Sequence, residues 1–255
     1  MIERFIDALQ LPASCPALNK PVFKKHFYDH GEMTARDKKL FQSAVERIQL
    51  RYNLSTRSLN LRPFTDATRR YLEIPVITLQ LDERKHTGRI AEIIHRTLPH
   101  PLILIIGTAD GSAQLNLAHQ RIHGADPRKI TLEDGQVTPW LSADRLDAPA
   151  VAFLQSIAVR SLRLSNAFDF YSDLFQRVVA LNCATITADY KLPTADADLD
   201  VQESAEHLAE YQAIDREITT RRNALKSEVH FNRKTALKME IESLKAELRQ
   251  IADKL

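Results

Sequence analysis

The spacing of apolar positions divides the chain into segments of different period. Ile2, Phe5, Ile6 and Leu9 recur at helical spacing, so the chain opens on a short amphipathic helix that Pro12 and Pro16 end. Residues 19–28 then interleave bases with aromatics and reach a turn at His30 and Gly31. Thr34 stands where a helix cap belongs, with Asp37 three residues on as its capping-box acid. Leu40, Phe41, Ala44, Val45, Ile48 and Tyr52 follow as one stripe, which predicts a helix running to Tyr52. Leu59 and Leu61 predict a strand ending near Pro63.

Residues 73–81 alternate. Ile74, Val76, Thr78 and Gln80 point one way, and Pro75, Ile77, Leu79 and Leu81 the other. Ile90, Ile93, Ile94 and Leu98 share a helical face that Pro99 closes. Residues 101–108 are almost continuously apolar and predict a central strand covered on both faces. Two Asp-Gly pairs, Asp110-Gly111 and Asp134-Gly135, predict hairpins whose turns need positive φ at both central positions. From Asp147 the period is helical again. Phe153, Leu154, Ile157, Ala158 and Leu162 line one helix, and Asn166 caps another carrying Phe168, Tyr171, Leu174, Phe175, Val178 and Val179.

The tail has its own pattern. Residues 193–206 form an acidic, Ala-rich stretch that reads as a linker or a helix start. After Pro193 there is neither Pro nor Gly. Leu237, Ile241, Leu244, Leu248, Ile251 and Leu255 step by four, three, four, three and four, the a/d seam of a coiled coil. Tyr211, Ile214, Ile218 and Leu225 fit a second register that does not continue into the first. Either one long helix is interrupted near residues 229–234, or the chain folds back there as a hairpin. So narrow a stripe needs another helix to cover it: its own fold-back, a sister chain in a homodimer, or a partner. The pattern as a whole predicts an α+β domain, residues 1–192, built on a mostly antiparallel mixed sheet with flanking helices. A C-terminal coiled-coil helix or helical hairpin, residues 193–255, follows it.

Charge sharpens this picture. The net charge of +2 hides an asymmetry, because residues 1–130 hold 20 Lys or Arg against 13 Asp or Glu. Lys20, Lys24, Lys25, Lys38 and Lys39 lie in the basic-aromatic front and are the candidate contacts to a nucleic-acid backbone. The alternative is that the aromatics are core and the lysines extend to water, and for the aromatics that alternative is preferred. The two cysteines, Cys15 and Cys183, form no CxxC and suggest neither zinc nor disulfide, as expected of a cytoplasmic protein. Glu3 and Asp7 argue against a signal peptide, and no apolar run is long enough to span a bilayer.

Candidate chemistry is sparse. The chain has no P-loop, no nucleophile elbow and no HExxH. Asp66 followed by Glu83-Arg84-Lys85 at the end of a strand matches the order of PD-(D/E)xK nucleases. There two carboxylates hold a magnesium ion and a lysine stabilises charge. The plainer reading is a charged turn. His95, His100, His119 and His123 lack metal-ligand spacing and read as satisfied or surface histidines, so no cofactor is expected outside the nuclease alternative.

Asn19-Lys20-Pro21-Val22-Phe23-Lys24-Lys25-His26-Phe27-Tyr28, Asp37-Lys38-Lys39-Leu40-Phe41, Ile94-His95, Leu98-Pro99-His100-Pro101-Leu102, Thr138-Pro139-Trp140, and Glu228 with Phe231-Asn232-Arg233-Lys234 together resemble a bacterial family, domain of unknown function number 4391. The resemblance covers nearly the whole chain and brings no catalytic residue with it. It implies a setting beside helicases and DNA methyltransferases in restriction-like or phage-defence loci. The expectation is a non-enzymatic assembly subunit that docks such a partner and contacts DNA. The tail seam, Leu237 to Leu255, is the candidate partner surface. The alternatives are a divergent nuclease using Asp66, Glu83 and Lys85, or a DNA-binding subunit without catalysis.

Overall fold

The computed structural model describes residues 1–124, 126–192 and 198–255. They form two compact units, Met1–Val178 and Val179–Leu255.

In chain order the first unit opens with α1 (Ile2–Ala8), β1 (Lys20–Pro21), α2 (Lys24–His30) and α3 (Ala35–Ala44). Then come β2 (Val45–Leu54), α4 (Thr56–Leu59), β3 (Phe64–Thr65), β4 (Arg70–Tyr71), β5 (Ile74–Leu81) and α5 (Thr87–Thr97). The rest is β6 (Ile103–Thr108), β7 (Ala113–His123), β8 (Asp126–Val137), α6 (Ala148–Ser156), a 3-10 turn (Val159–Ser161) and α7 (Ala167–Thr187), which runs on into the second unit. The second unit continues with α8 (Asp198–Ser227) and α9 (Phe231–Ala252). The fold is therefore α+β, as the periodicity predicts. The division between the two compact units falls inside α7.

The main sheet has six strands in the order β1-β2-β5-β6-β7-β8, and β3 pairs with β4 beside it. β5 and β6 run parallel, joined by α5 as a crossover, and the other neighbours are antiparallel. Every residue of β6 is buried, which accounts for its unbroken apolar run. On one face Ile77, Leu79, Leu104 and Ile106 meet Ile90 and Ile94 of α5, Phe27 of α2 and Phe41 of α3 in one core. The other face takes α1 closely: a Cβ at Gly107 would stand 2.5 Å from Ile2 Cδ1, so any larger residue there would make the Ile2 side chain move. Tyr171 of α7 reaches the same sheet, its hydroxyl donating to the Leu102 carbonyl at 2.9 Å and accepting from the Ala118 N–H.

Several local expectations are overturned or refined. The stripe after Thr34 predicts helix to Tyr52, but α3 stops at Ala44 and Val45–Leu54 is strand β2. Its pairing with β5 is interrupted at Val45/Arg47 and again at Leu50/Tyr52, and these irregularities hide the two-residue period. Leu59 and Leu61 are not in a strand: Leu59 ends α4, and Leu61 is buried beyond it. Asp134-Gly135 is not a turn, because β8 passes straight through it. There β8 spends four residues, Leu132 to Gly135, opposite three of β7, Ala118 to Gln120, so the dipeptide marks a bulge. The turn comes earlier, where His123 pairs with Asp126. At Asp110-Gly111 the predicted hairpin is present, but only Gly111 has positive φ (+78°). Its N–H donates to the Thr108 carbonyl at 3.0 Å, which closes the turn.

The helix begun at Asp147 ends at Ser156 rather than Leu162. The buried Arg177 of α7 donates to the Ser156 and Ser161 carbonyls at 2.9 and 2.6 Å, so a tertiary contact caps that helix. In the tail, residues 193–197 of the acidic stretch lie outside the described residues. The open question of one long helix or two is decided for a hairpin: α8 and α9 are joined by residues 228–230 and pack on each other.

Candidate nucleic-acid interface

The basic front of the chain becomes a surface because its apolar residues face inward. β1 pairs with β2, placing Lys20 opposite Leu50 at the sheet edge. Asn19 takes a left-handed φ of 49°, tolerable for Asn, and its Oδ1 accepts from Arg51 Nε at 2.8 Å. Arg51 in turn grips Glu3 of α1 through both terminal nitrogens. Phe27 and Tyr28 of α2 enter the main core, with Phe27 fully buried. The preference for core aromatics holds for these two. It fails for Phe23, which caps α2 and is 72% exposed.

Lys20, Lys25, Lys38 and Lys39 are exposed, while Lys24 is half-buried and its Nζ donates to the Gln42 carbonyl at 3.1 Å. Four of the five candidate lysines are thus presented to solvent, and the fifth ties α2 to α3. The platform under them is stiff. Thr34 and Asp37 make the predicted capping box, and Asp37 also accepts two hydrogen bonds from the Arg89 guanidinium at 2.9 and 2.8 Å. Those bonds, with the Thr34 N–H, hold the Asp37 carboxyl well below the usual range.

Next to this platform lies an open groove of about 660 Å³, lined by His26 and His30 of α2, Arg89 and Arg96 of α5, Glu32, and His123 of β7. Sequence reasoning missed it because its residues come from segments far apart in the chain. The nearest signal was the His26/His30 pair one helical turn apart. Glu92 bridges both arginines, which leaves the groove lined by nitrogen with its charge partly balanced.

The nuclease constellation is not assembled. Asp66 is a turn residue: its Oδ1 accepts from the Thr68 and Arg69 N–H groups at 2.6 and 2.7 Å, which lowers its carboxyl. That turn is fastened to the far end of β7, where Ile122 N–H donates to the Thr68 carbonyl at 2.7 Å. Glu83 and Lys85 are exposed in the turn after β5. Between them, Arg84 bonds Asp110 and Ser112 at the opposite end of the sheet and lies 5.0 Å over the Trp140 ring. About 30 Å of strand, at ~3.3 Å per residue, separates the two acids. Among the described residues no three His, Cys, Asp or Glu side chains are placed to share a metal ion.

Two of the candidate histidines are held structurally. His95 is buried with Nε2 2.8 Å from Asn116 Oδ1, and His119 Nδ1 is 2.7 Å from the Tyr71 hydroxyl. Burial pushes both down to about 4, so both are neutral at pH 7. Gln120 clamps the same region, its amide donating to the His95, Leu98 and His100 carbonyls.

A family model, Domain of unknown function (DUF4391), matches residues 9–248. The chain belongs to the DUF4391 family. No curated protein and no solved structure matches it. In this DUF4391 chain several residues that carry the resemblance have structural work. Asn19 holds Arg51, and Thr138 Oγ1 accepts from the Leu115 N–H at 3.0 Å. Trp140 supports Arg84, and Glu228 closes the turn between α8 and α9 by accepting the Val229 and His230 N–H groups.

The seam of the tail is covered from within. Ile241 and Ile251 are buried against Ile214 and Ile218, with Leu244 and Leu248 packed alongside, while Leu237 and Leu255 are half-buried. Of the three ways to cover the stripe, the structure shows the fold-back. Among the described residues no helix is long and apolar enough to cross a membrane.

Proposed function

We propose that this DUF4391 protein is a non-catalytic assembly subunit of a DNA-targeting, restriction-like or phage-defence complex. It would hold duplex DNA by its phosphates on the α2–α3 face and dock a helicase or DNA methyltransferase. One observation carries the DNA reading: Lys25 of α2 and Lys38 and Lys39 of α3 are solvent-exposed where Asp37 is held by Arg89, with exposed Lys20 on β1 and the exposed ring of Phe23 at the start of α2. Fixed bases release counterions from a phosphate backbone without reading sequence. The separation of Asp66 from Glu83 supports a subunit that does not cut. The partner classes come from the family resemblance and rest on it alone.

The test is binding of a labelled duplex to the full chain, followed by fluorescence anisotropy over a salt series. Lys25→Glu with Lys39→Glu should weaken binding roughly tenfold and flatten the salt slope by about two. Glu83→Ala should leave binding unchanged and reveal no magnesium-dependent cleavage to lose. Wild-type binding that ignores salt, or a duplex cut by the wild type and spared by Glu83→Ala, would falsify the reading. Co-expression with a neighbouring helicase or methyltransferase tests the docking half by co-elution.

A further inference from the structure

The helical hairpin is polarised along its length. Arg221 Nε meets Glu240 Oε2 at 2.9 Å, and that pair marks where the tip begins. Beyond that pair, residues 222–239 carry five bases, Arg222, Lys226, Arg233, Lys234 and Lys238, and one acid, Glu228. On the other side of it, residues 203–217 of α8 hold five acids and one base. The apolar row of the seam needs no such arrangement.

The tip is also unusually apolar. Val229, Phe231 and Met239 are 80%, 79% and 70% exposed, and apart from Phe23 no other large apolar side chain among the described residues exceeds 41%. Phe231 opens α9, where helix formation does not call for an aromatic ring. The turn itself is closed by the Glu228 carboxylate, so the side chains of Val229 and Phe231 are not used to build it. The single acid of the tip is occupied in that closure and in a contact with Arg233 at 3.9 Å.

We infer that the tip of the α8–α9 hairpin binds single-stranded nucleic acid, its bases gripping phosphates while Phe231 stacks on an unpaired base. Guanidinium and ammonium groups flanking one exposed ring are what such binding requires. A membrane surface fits less well, because Val229 and Phe231 are separated by His230 and followed by Asn232, Arg233 and Lys234, leaving no continuous apolar face to immerse. The inference rests on the reading that the protein works on nucleic acid, but it uses a surface on the other unit.

Anisotropy titrations of the full chain against a labelled oligothymidine strand and a duplex of equal length test it. Phe231→Ala should weaken oligothymidine binding roughly tenfold and change duplex binding little. Arg233→Glu with Lys234→Glu should weaken oligothymidine binding further and lower its salt slope by about 1.4. Circular dichroism should show the same helicity for all variants, since these side chains are exposed. Oligothymidine binding by the tip variants equal to wild type overturns the inference, whatever Lys25→Glu with Lys39→Glu does to the duplex. Loss of duplex binding only in the Lys25/Lys39 variant, with the tip effect intact on oligothymidine, supports both surfaces. Wild-type protein that sediments with phosphatidylserine vesicles and ignores oligothymidine also overturns it, in favour of a membrane contact.

Discussion

The sheet unit and the helical hairpin bury their apolar residues in opposite ways. In the first, β6 is covered on both faces and its core draws on three helices and three strands. In the hairpin the core is a single row, Ile214, Ile218, Ile241 and Ile251, flanked by half-buried Tyr211, Leu225, Leu244 and Leu248. A residue in a layered core is surrounded on all sides, whereas one in a two-helix seam always has solvent close by. The sheet unit is thus a rigid platform. The hairpin has one thin apolar row, so its stability should be modest and most of its surface is left to carry charge.

The sharpest way to break this comparison is to remove the same atoms from each core. Ile106→Ala should cost about 4 kcal/mol, near the upper part of the range for buried aliphatics, because neighbours on both faces cannot close the hole. Ile218→Ala should cost about 2 kcal/mol, because the seam can relax or admit water. Urea melts of each variant, read by the amide exchange of each unit, supply the check; equal losses would mean the hairpin is packed as tightly as the sheet.

Acid should narrow the difference between the units. His95 and His119 belong to the sheet unit and are held neutral, with folded values of about 4 against 6.5 for the free side chain. The unfolded chain therefore takes up protons first as pH falls, so their contribution is whole above pH 6.5 and drains away towards pH 4. For fully buried His95 the loss reaches at most about 3 kcal/mol, at ~1.4 kcal/mol per unit. Thermal melts between pH 7 and 4 should show this slope, and His95→Gln should flatten it.

The smallest effect sharpens the comparison from the hairpin side. Arg221 occupies a seam position of α8, between Ile218 and Leu225, and pairs with Glu217 and Glu240 at 2.9 Å. Partly exposed pairs of this kind contribute little. Arg221→Leu should therefore raise the hairpin's stability by less than about 1 kcal/mol, seen as slower amide exchange in α8 and α9 and no change in β6. A large loss instead would show that the ion pair, not the apolar row, sets the register.

Much of the architecture was legible because it rests on local patterns. The Thr34–Asp37 box, the covered strand β6, helix α5 and the break between two heptad registers all leave signatures within a few residues. The misreadings share one cause. Val45–Leu54, the end of α6 and Asp134-Gly135 take their form from partners distant in sequence: β5, Arg177 and β7. The candidate site divides in the same way. Exposed lysines and the charged turn at Glu83 follow from residue type. The exposure of Phe23, the groove between α2, α5 and β7, and the distance from Asp66 to Glu83 do not.

By itself the sequence determined which segments must be covered and which carry charge, because burial and solvation are properties of each side chain and its period. What covers each segment was settled only in the tertiary structure. The same narrow stripe of Leu237 to Leu255 is satisfied equally by a sister chain or by α8, and the three residues of turn that Glu228 closes bring α8 to it first.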